Sequence, residues 1–258
     1  MQRNDYKQLL VIIKGTGNLI LKARVDEGDI GKKEGYSNFV TRYDKEVQHI
    51  LIEEFQRILP DARFLAEEDH IQQGLGNGFC FIIDPIDGTT NFIFDYRHSC
   101  IAVGLAYAGE MTFGAVYDPY ADEMFSAVKG EGAFLNGRKI RATEKGLSEN
   151  LTAFGCARYN SDATDRAFSG AKKLYLHSLG IREGGSGALD ICRTACGRSG
   201  LYFELLLQPW DYAAASLILQ EAGGVITQID GTPITLDRPC SILAGGKACM
   251  EEAGKLGL

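Results

Sequence analysis

The sequence predicts a layered α/β fold, and three patterns along its 258 residues lead to that prediction. An amphipathic helix over Thr41–Leu59 needs an apolar surface on which to pack. Between Cys100 and Ile140, short apolar runs alternate with turn residues, which is typical of antiparallel strands. After residue 149, strand-like and helix-like segments alternate. We therefore expect helices packed in layers against sheets.

Two helices separated by a loop are predicted at the start of the chain. Tyr6–Ala23 has apolar residues at helix-like spacing. Gly28–Asn38 is polar and contains glycine, so we expect a mobile loop there, with Lys33 in it. The helix over Thr41–Leu59 follows, and Pro60 ends it.

Strands dominate the next segment. Phe79–Ile83 is a short apolar strand that ends at Asp84. The run from Cys100 to Ile140 predicts an antiparallel meander, and Asn136-Gly137 is a strong signal for a hairpin turn within it.

The last third of the chain predicts mixed strands and helices. Leu201–Leu207 is strand-like, and Trp210–Ala222 is helical, with Gly223-Gly224 as its stop. Val225–Ile229 and Ser241–Ala244 are strand-like. A soft boundary near residue 145 predicts two halves, an N-terminal one over 1–145 and a C-terminal one over 146–258.

Composition excludes several classes of protein. The formal net charge of -7 argues against nucleic acid as the main partner, because proteins that bind nucleic acid usually carry a basic face. The seven cysteines include no CxxC pair that would indicate structural zinc. The polar N-terminus is unlike a signal peptide, and no apolar run reaches the roughly 20 residues of a membrane span. We expect a cytoplasmic protein without membrane contact.

The most informative segment is Asp84-Pro85-Ile86-Asp87-Gly88-Thr89-Thr90-Asn91-Phe92. A buried strand delivers two carboxylates, and Gly88 then permits close approach of the backbone. A helix that begins near Gly88 would point free N–H groups at the same place, which would set an anion site beside a cation site. The alternative is an ordinary turn with an aspartate cap.

Two further acidic groups favour the cation site over the turn. Ala66-Glu67-Glu68 follows an apolar stretch, and Asp211 lies in the first turn of the alanine-rich helix. Either group alone is more often a charge at a helix N-terminus or on a solvated face. Four acids gathered at such positions repel one another unless a cation joins them.

These three motifs resemble those of the inositol monophosphatase family, within the lithium-sensitive, magnesium-dependent phosphatases. Their order and spacing fit over nearly the whole chain, although Ala66 stands where glycine is usual. The resemblance implies a five-layer αβαβα sandwich, a homodimer, and Mg²⁺-dependent hydrolysis of a small phosphate monoester on a polyol or sugar.

The resemblance also implies a role for each matching residue. Two to three Mg²⁺ ions would be held by Glu67, Asp84, the Ile86 carbonyl, Asp87 and Asp211. Thr89, together with Glu67, would orient and activate the attacking water. The N–H groups of Gly88 and Thr89 would hold the phosphate, and Asp87 and Asp211 would also face the substrate.

Four supporting positions are implied, each with a simpler reading beside it. Asp44 would be an acid near the third metal, or half of a capping box with Thr41. Lys33 would be a loop lysine of the site, or a solvated side chain. Gly185-Ser186-Gly187 would bind substrate hydroxyls, or form a plain turn. Glu204 would accept a hydrogen bond from the substrate, or be a half-exposed strand residue.

Substrate and mechanism leave alternatives open. By the same resemblance, Thr90 favours inositol monophosphate, because relatives that act on 3′-phosphoadenosine phosphates tend to carry lysine there, and Glu204 favours a polyol. Fructose 1,6-bisphosphate, 3′-phosphoadenosine 5′-phosphate and histidinol phosphate remain candidates. Cys192 to Arg198 fits the C-x5-R pattern of cysteine-dependent phosphatases, but its helical apolar spacing favours a core cysteine. A regulatory or scaffolding protein on a phosphatase fold is a further alternative, which retention of all the implied metal ligands and of Thr89 disfavours.

Overall fold

The computed structural model describes Met1 and residues 3–32, 39–156 and 161–257. Within these ranges the α-helices are α1 (Arg3–Lys22), α2 (Arg42–Ile58), α3 (Thr89–Ile93), α4 (Ser161–His177), α5 (Gly187–Ala195), α6 (Pro209–Glu221) and α7 (Lys247–Lys255). The strands are β1 (Ile30–Lys32), β2 (Phe39–Thr41), β3 (Arg63–Ala66), β4 (Phe79–Asp87), β5 (Cys100–Tyr107), β6 (Glu110–Asp118), β7 (Glu123–Val128), β8 (Gly132–Leu135), β9 (Arg138–Lys139), β10 (Leu151–Phe154), β11 (Gly180–Arg182), β12 (Leu201–Leu207), β13 (Val225–Thr227) and β14 (Cys240–Gly245).

The first large sheet has the strand order β3-β4-β5-β6-β7-β8-β9. β3 and β4 are parallel, and each later pair is antiparallel, which confirms the predicted meander. Asn136 and Gly137 both have positive φ, at 48° and 76°, and join β8 to β9. Two residues with positive φ fit the tight hairpin turn that this pair predicts.

The second sheet has the order β11-β10-β12-β14-β13. β10 pairs in parallel with β11 and β12, whereas β14 is antiparallel to β12 and β13. Its strands begin at Leu151, after the first sheet ends at Lys139. Helix α6, however, packs against strands of both sheets, so the two halves share one core.

The layers alternate as helix, sheet, helix, sheet and helix. Helices α1 and α2 cover the outer face of the first sheet. Helices α5 and α6 lie between the two sheets, where α6 is apolar on nearly every side. Helices α4 and α7 cover the outer face of the second sheet. The predicted αβαβα sandwich is therefore confirmed.

The structure corrects two local expectations and leaves a third untested. Ile30–Lys32, predicted as part of a loop, is strand β1 and pairs antiparallel with β2. Lys33 lies outside the described residues. β4 does not end at Asp84 but continues to Asp87, and its pairing with β5 skips between these two residues because Pro85 has no N–H to donate.

Two helices, α4 and α7, had no counterpart among the predicted elements. Only small or scattered apolar residues of α4, namely Ala167, Ala171 and Leu174, are buried against the second sheet. Such a narrow stripe gives little helical periodicity in the sequence. None of the helices in the described ranges combines the length and apolar composition that crossing a bilayer requires.

Candidate active site

A cavity of about 230 Å³ opens where the end of β4, the start of α3, the loop before α5, strand β12 and the start of α6 meet. Its lining contains seven carboxylates and, among the described residues, no lysine or arginine. The seven are Glu67, Asp84, Asp87, Glu183, Asp190, Glu204 and Asp211. A phosphate group cannot bind this surface unless cations bind with it.

The end of β4 delivers the first two carboxylates. The Asp84 Oδ1 atom accepts a hydrogen bond from the Ile86 N–H at 3.0 Å, which folds the chain tightly around Pro85. Asp84 and Asp87 are both buried and both line the cavity. The irregular pairing of β4 therefore brings two acids, and Ile86 between them, to one surface.

Gly88 makes the next turn possible. Its φ is +90°, and a Cβ at this position would lie 3.0 Å from the His98 carbonyl oxygen and 3.1 Å from that of Gly185. Only glycine adopts this conformation with so little space around it. Helix α3 begins at the next residue, Thr89.

Thr89 connects the cavity to a buried acid behind it. Its Oγ1 atom lies 3.1 Å from Asp44 Oδ1 and 3.1 Å from the Ile86 carbonyl oxygen. Asp44 also forms the predicted capping box of α2, because its Oδ2 atom accepts hydrogen bonds from the Thr41 N–H at 2.7 Å and the Thr41 hydroxyl at 2.5 Å. Burial raises the pKa of Asp44 to about 6. Asp44 does not line the cavity and reaches it only through Thr89.

The loop before α5 holds the Asp87 carboxylate. The Ser186 hydroxyl and the Ala188 N–H donate hydrogen bonds to Asp87 Oδ2, at 2.6 and 2.8 Å. Burial raises the pKa of Asp87 to about 6, although these two hydrogen bonds oppose the shift. Gly185 in this loop has a φ of +76°. The predicted substrate residues Gly185, Ser186 and Gly187 all line the cavity.

Helix α6 brings Asp211 to the cavity. Asp211 is the third residue of α6, where its Oδ2 atom accepts a hydrogen bond from the Gln208 N–H at 2.8 Å. Burial, and then the charges of Asp87 and Glu67, raise the pKa of Asp211 well above its ordinary value. The predicted metal ligands from three separate motifs thus face one cavity and repel one another.

Glu204 lies on β12 at the same cavity. The Tyr202 hydroxyl donates a hydrogen bond to its Oε2 atom at 2.6 Å, and burial raises the pKa of Glu204 to about 8. A Cβ at Gly155 would collide with this carboxylate, so the absence of a side chain at 155 leaves room for it. Glu204 is therefore a half-exposed strand residue, as the simpler reading predicts, and its carboxylate is held in place at the cavity by Tyr202.

The donor set fits Mg²⁺. Within the described residues, no three acidic, histidine or cysteine side chains lie close enough together to enclose a metal ion by themselves. Mg²⁺ does not need such a cage, because it usually keeps several waters and uses one or two carboxylates together with substrate phosphate. The lining carboxylates are hard oxygen donors whose mutual repulsion a divalent cation would relieve.

Sequence reasoning missed two residues of the site. Asp190 lines the cavity, is only 3% exposed, and lies 3.9 Å from Arg193; burial raises its pKa to about 7. Asn91 donates hydrogen bonds from Nδ2 to the carbonyl oxygens of His98 and Gly184, both at 2.8 Å, and so ties α3 to the loop before α5. An acid on the otherwise apolar face of α5 was the available signal for Asp190.

The thiol of Cys192, which begins the C-x5-R pattern, is not placed to act as a nucleophile. Cys192 is fully buried in α5, and burial raises the pKa of its thiol well above the ordinary value. A cysteine-dependent phosphatase needs an accessible thiolate. The prediction that Cys192 belongs to the core is confirmed.

Comparison with known proteins gives a consistent result. A sequence profile described as the inositol monophosphatase family matches residues 2–255. Inositol-1-monophosphatase of a Synechocystis species is 36% identical over 223 residues, which cover 86% of this chain and 78% of the relative. Nus factor SuhB of Escherichia coli strain K12 is 33% identical over 217 residues, which cover 83% and 81%. The structure titled Thermotoga maritima IMPase superposes with a TM-score of 0.88 at 30% identity and covers 100% of this chain and 97% of its own.

Proposed function

Because the chain belongs to the inositol monophosphatase family and is a phosphoric monoester hydrolase, we propose that it hydrolyses myo-inositol monophosphate to inositol and phosphate in a Mg²⁺-dependent reaction. The observation that carries the proposal is the cavity with seven carboxylates and no described basic side chain. An anionic substrate binds such a cavity only together with cations.

The residues that would hold Mg²⁺ are Glu67, Asp84, the Ile86 carbonyl, Asp87 and Asp211. Bound Mg²⁺ would neutralise phosphate charge, lower the pKa of a coordinated water and steady the leaving oxygen. The chain itself would fix the positions of these donors, since Asp84, Asp87 and Asp211 each already accept a hydrogen bond from the backbone.

Thr89 and Glu67 would orient the attacking water. When the Thr89 hydroxyl donates its single proton to Asp44 Oδ1, its lone pairs are free to accept a hydrogen bond from that water. A proton from the water would then pass to Thr89 Oγ1 while the Thr89 proton passes to Asp44. The N–H groups at the start of α3, from Gly88 and Thr89, would contact the phosphate oxygens.

The leaving alcohol would lie between the loop before α5 and β12. Glu204, with its carboxylate fixed by Tyr202, would accept a hydrogen bond from a polyol hydroxyl. Glu183, Asp190 and Glu204 line this part of the cavity. A second phosphate, as in fructose 1,6-bisphosphate or 3′-phosphoadenosine 5′-phosphate, would lie against these three acidic side chains, and the described lining offers no lysine or arginine to receive it. The arrangement therefore favours a monophosphate of an uncharged polyol over either bisphosphate.

The test compares kcat/KM at saturating Mg²⁺ for four substrates: inositol 1-phosphate, fructose 1,6-bisphosphate, 3′-phosphoadenosine 5′-phosphate and histidinol phosphate. The proposal predicts the highest value for inositol 1-phosphate. A higher value for a bisphosphate would contradict the assignment of the polyol. A higher value for histidinol phosphate would show that the acidic lining selects a cationic alcohol.

A second candidate function is regulatory, favoured by the 33% identity to a protein named Nus factor SuhB. It predicts that deletion of the gene causes a cellular defect, and that an inactive Asp87→Asn variant corrects this defect. If the wild-type chain corrects the defect and the inactive variant does not, the result would contradict a role separate from catalysis.

Further properties are proposed from the resemblance alone. They are two to three Mg²⁺ ions per site, inhibition by lithium and a homodimer. A cytoplasmic location is proposed from the composition of the sequence instead. Calorimetry would give the metal stoichiometry, and light scattering coupled to size-exclusion chromatography would give the oligomeric state. A division of the chain near residue 145 also stays a prediction, which limited proteolysis would test.

A further inference from the structure

One oxygen of the Asp87 carboxylate is fully occupied within the protein. Oδ2 accepts hydrogen bonds from the Ser186 hydroxyl at 2.6 Å and the Ala188 N–H at 2.8 Å, and the Cys100 thiol lies 3.8 Å away. A carboxylate oxygen has two lone pairs, and these two short hydrogen bonds use both of them. Oδ1 is therefore the oxygen of Asp87 left to bind a cation.

The Ser186 hydroxyl in turn is already engaged by groups of the protein on every side that the structure describes. Its hydroxyl proton is donated to Asp87, and its oxygen accepts a hydrogen bond from the Leu189 N–H at 3.4 Å as the N-cap of α5. The Cys100 thiol lies 3.7 Å from the same oxygen. The residue is 2% exposed. A hydroxyl has a single proton, so Ser186 cannot donate to Asp87 and to a sugar hydroxyl at the same time.

We propose that Ser186 is a positioning residue: its hydroxyl turns the Asp87 carboxylate so that Oδ1 alone faces the cation, and it does not itself bind the substrate. This role rests on the proposed function, because it concerns the affinity for Mg²⁺. It replaces the substrate contact that the resemblance implies for Ser186. Hydrogen-bond donors to metal-binding carboxylates fix the geometry of the ligand, and their removal typically weakens metal binding by about 10- to 100-fold.

Removing the hydroxyl also removes the helix cap, so a single variant would not separate positioning from stability. Ser186→Ala loses both the cap and the hydrogen bond to Asp87. Ser186→Gly loses the same hydrogen bond, but glycine is tolerated at an N-cap far better than alanine. Ser186→Thr keeps the hydroxyl for both contacts. The pair of alanine and glycine variants therefore differs in stability but not in the contact with Asp87.

Thr194→Ala is the matched control. Thr194 is a fully buried hydroxyl residue of the same helix, and its Oγ1 atom donates to the Asp190 carbonyl oxygen at 2.9 Å and lies 2.8 Å from the Ser199 hydroxyl. It lies away from the Asp87 carboxylate and does not line the cavity. Its loss should destabilise α5 without changing metal affinity.

The experiment is calorimetric titration of the wild-type protein and each purified variant with Mg²⁺ in the presence of inorganic phosphate, which supplies the phosphate oxygens that Mg²⁺ shares with the carboxylates. Urea unfolding and measurement of KM and kcat accompany it. We expect Ser186→Ala and Ser186→Gly to bind Mg²⁺ equally weakly, about 10- to 100-fold below wild type, although glycine unfolds at the higher urea concentration. Ser186→Thr and Thr194→Ala should bind Mg²⁺ within about twofold of wild type.

Two results would overturn the role, and they differ from each other. Wild-type Mg²⁺ affinity in the alanine and glycine variants, together with a raised KM, would return Ser186 to substrate binding and leave the proposed function intact. A wild-type protein that binds no Mg²⁺ would contradict the proposed function and the positioning role together.

Discussion

Replacement of Gly88 by alanine tests how tightly the backbone is packed around the cavity. A residue other than glycine at a φ of +90° costs about 1–2 kcal/mol in backbone strain. The new Cβ would also lie 3.0 Å from the His98 carbonyl oxygen and 3.1 Å from the Gly185 carbonyl oxygen. Crowding of this kind in a packed region costs a further ~1–3 kcal/mol, so the variant should lose about 2–5 kcal/mol in the free energy of unfolding.

Gly109→Ala separates the two contributions. Gly109 lies in the turn between β5 and β6 with a φ of +81°, and a Cβ there would meet nothing within 4 Å. It should lose only the strain, about 1–2 kcal/mol, and keep its activity. Urea unfolding of both variants gives the difference, which is the cost of crowding at Gly88.

Activity should follow the crowding rather than the strain. The atoms that would be displaced are the His98 carbonyl oxygen, which accepts a hydrogen bond from Asn91 of α3, and the Gly185 carbonyl oxygen in the loop that holds Asp87. A displacement of about 1 Å at reacting groups lowers rates on the order of 100-fold, so kcat/KM of the folded Gly88→Ala protein should fall by that amount. Equal losses of stability in the two variants, or a fully active Gly88→Ala, would refute the close approach described at this site.

Three further predictions concern single groups. Asp87→Asn should abolish turnover while leaving the fold intact by circular dichroism, and near-normal turnover would contradict its role as a metal ligand. Because the pKa of Asp87 is raised to about 6, Mg²⁺ binding should displace a proton below that pH, and the apparent affinity for Mg²⁺ should fall there by up to about tenfold per pH unit. Calorimetry in buffers of different ionisation enthalpy measures the number of protons released, and an affinity that does not change with pH would argue against this displacement. Cys192→Ser should keep kcat but lose about 1–3 kcal/mol of stability, since a hydroxyl would replace a fully buried thiol, and a large loss of kcat at unchanged stability would revive the cysteine mechanism.

The sequence was sufficient for elements with strong local signals. The amphipathic helix α2, the antiparallel meander and the alanine-rich helix α6 all follow from periodicity and turn residues, and the structure confirms each of them. The convergence of Glu67, Asp84, Asp87 and Asp211 on one cavity was also expected, because four separated acids need a common partner.

What the sequence missed depends on contacts between distant segments. Asp44 and Thr89 are 45 residues apart, and Asp87 and Ser186 are 99 apart, so no local pattern shows that each pair shares a hydrogen bond. For the same reason the sequence could not distinguish a serine that contacts substrate from one committed to a buried carboxylate. Helix α4 was missed because its buried face consists mainly of alanine, which has little effect on hydrophobic periodicity.

Metal dependence of phosphate release is the most direct test of the central claim, that carboxylate-bound Mg²⁺ drives hydrolysis of a phosphate monoester. The protein would be stripped with EDTA, assayed with inositol 1-phosphate, and then titrated with Mg²⁺. We predict no turnover in EDTA and full recovery with Mg²⁺, with no recovery in Asp87→Asn. Turnover that persists in EDTA would contradict the claim, because the cavity lining holds no other described positive charge to receive the phosphate.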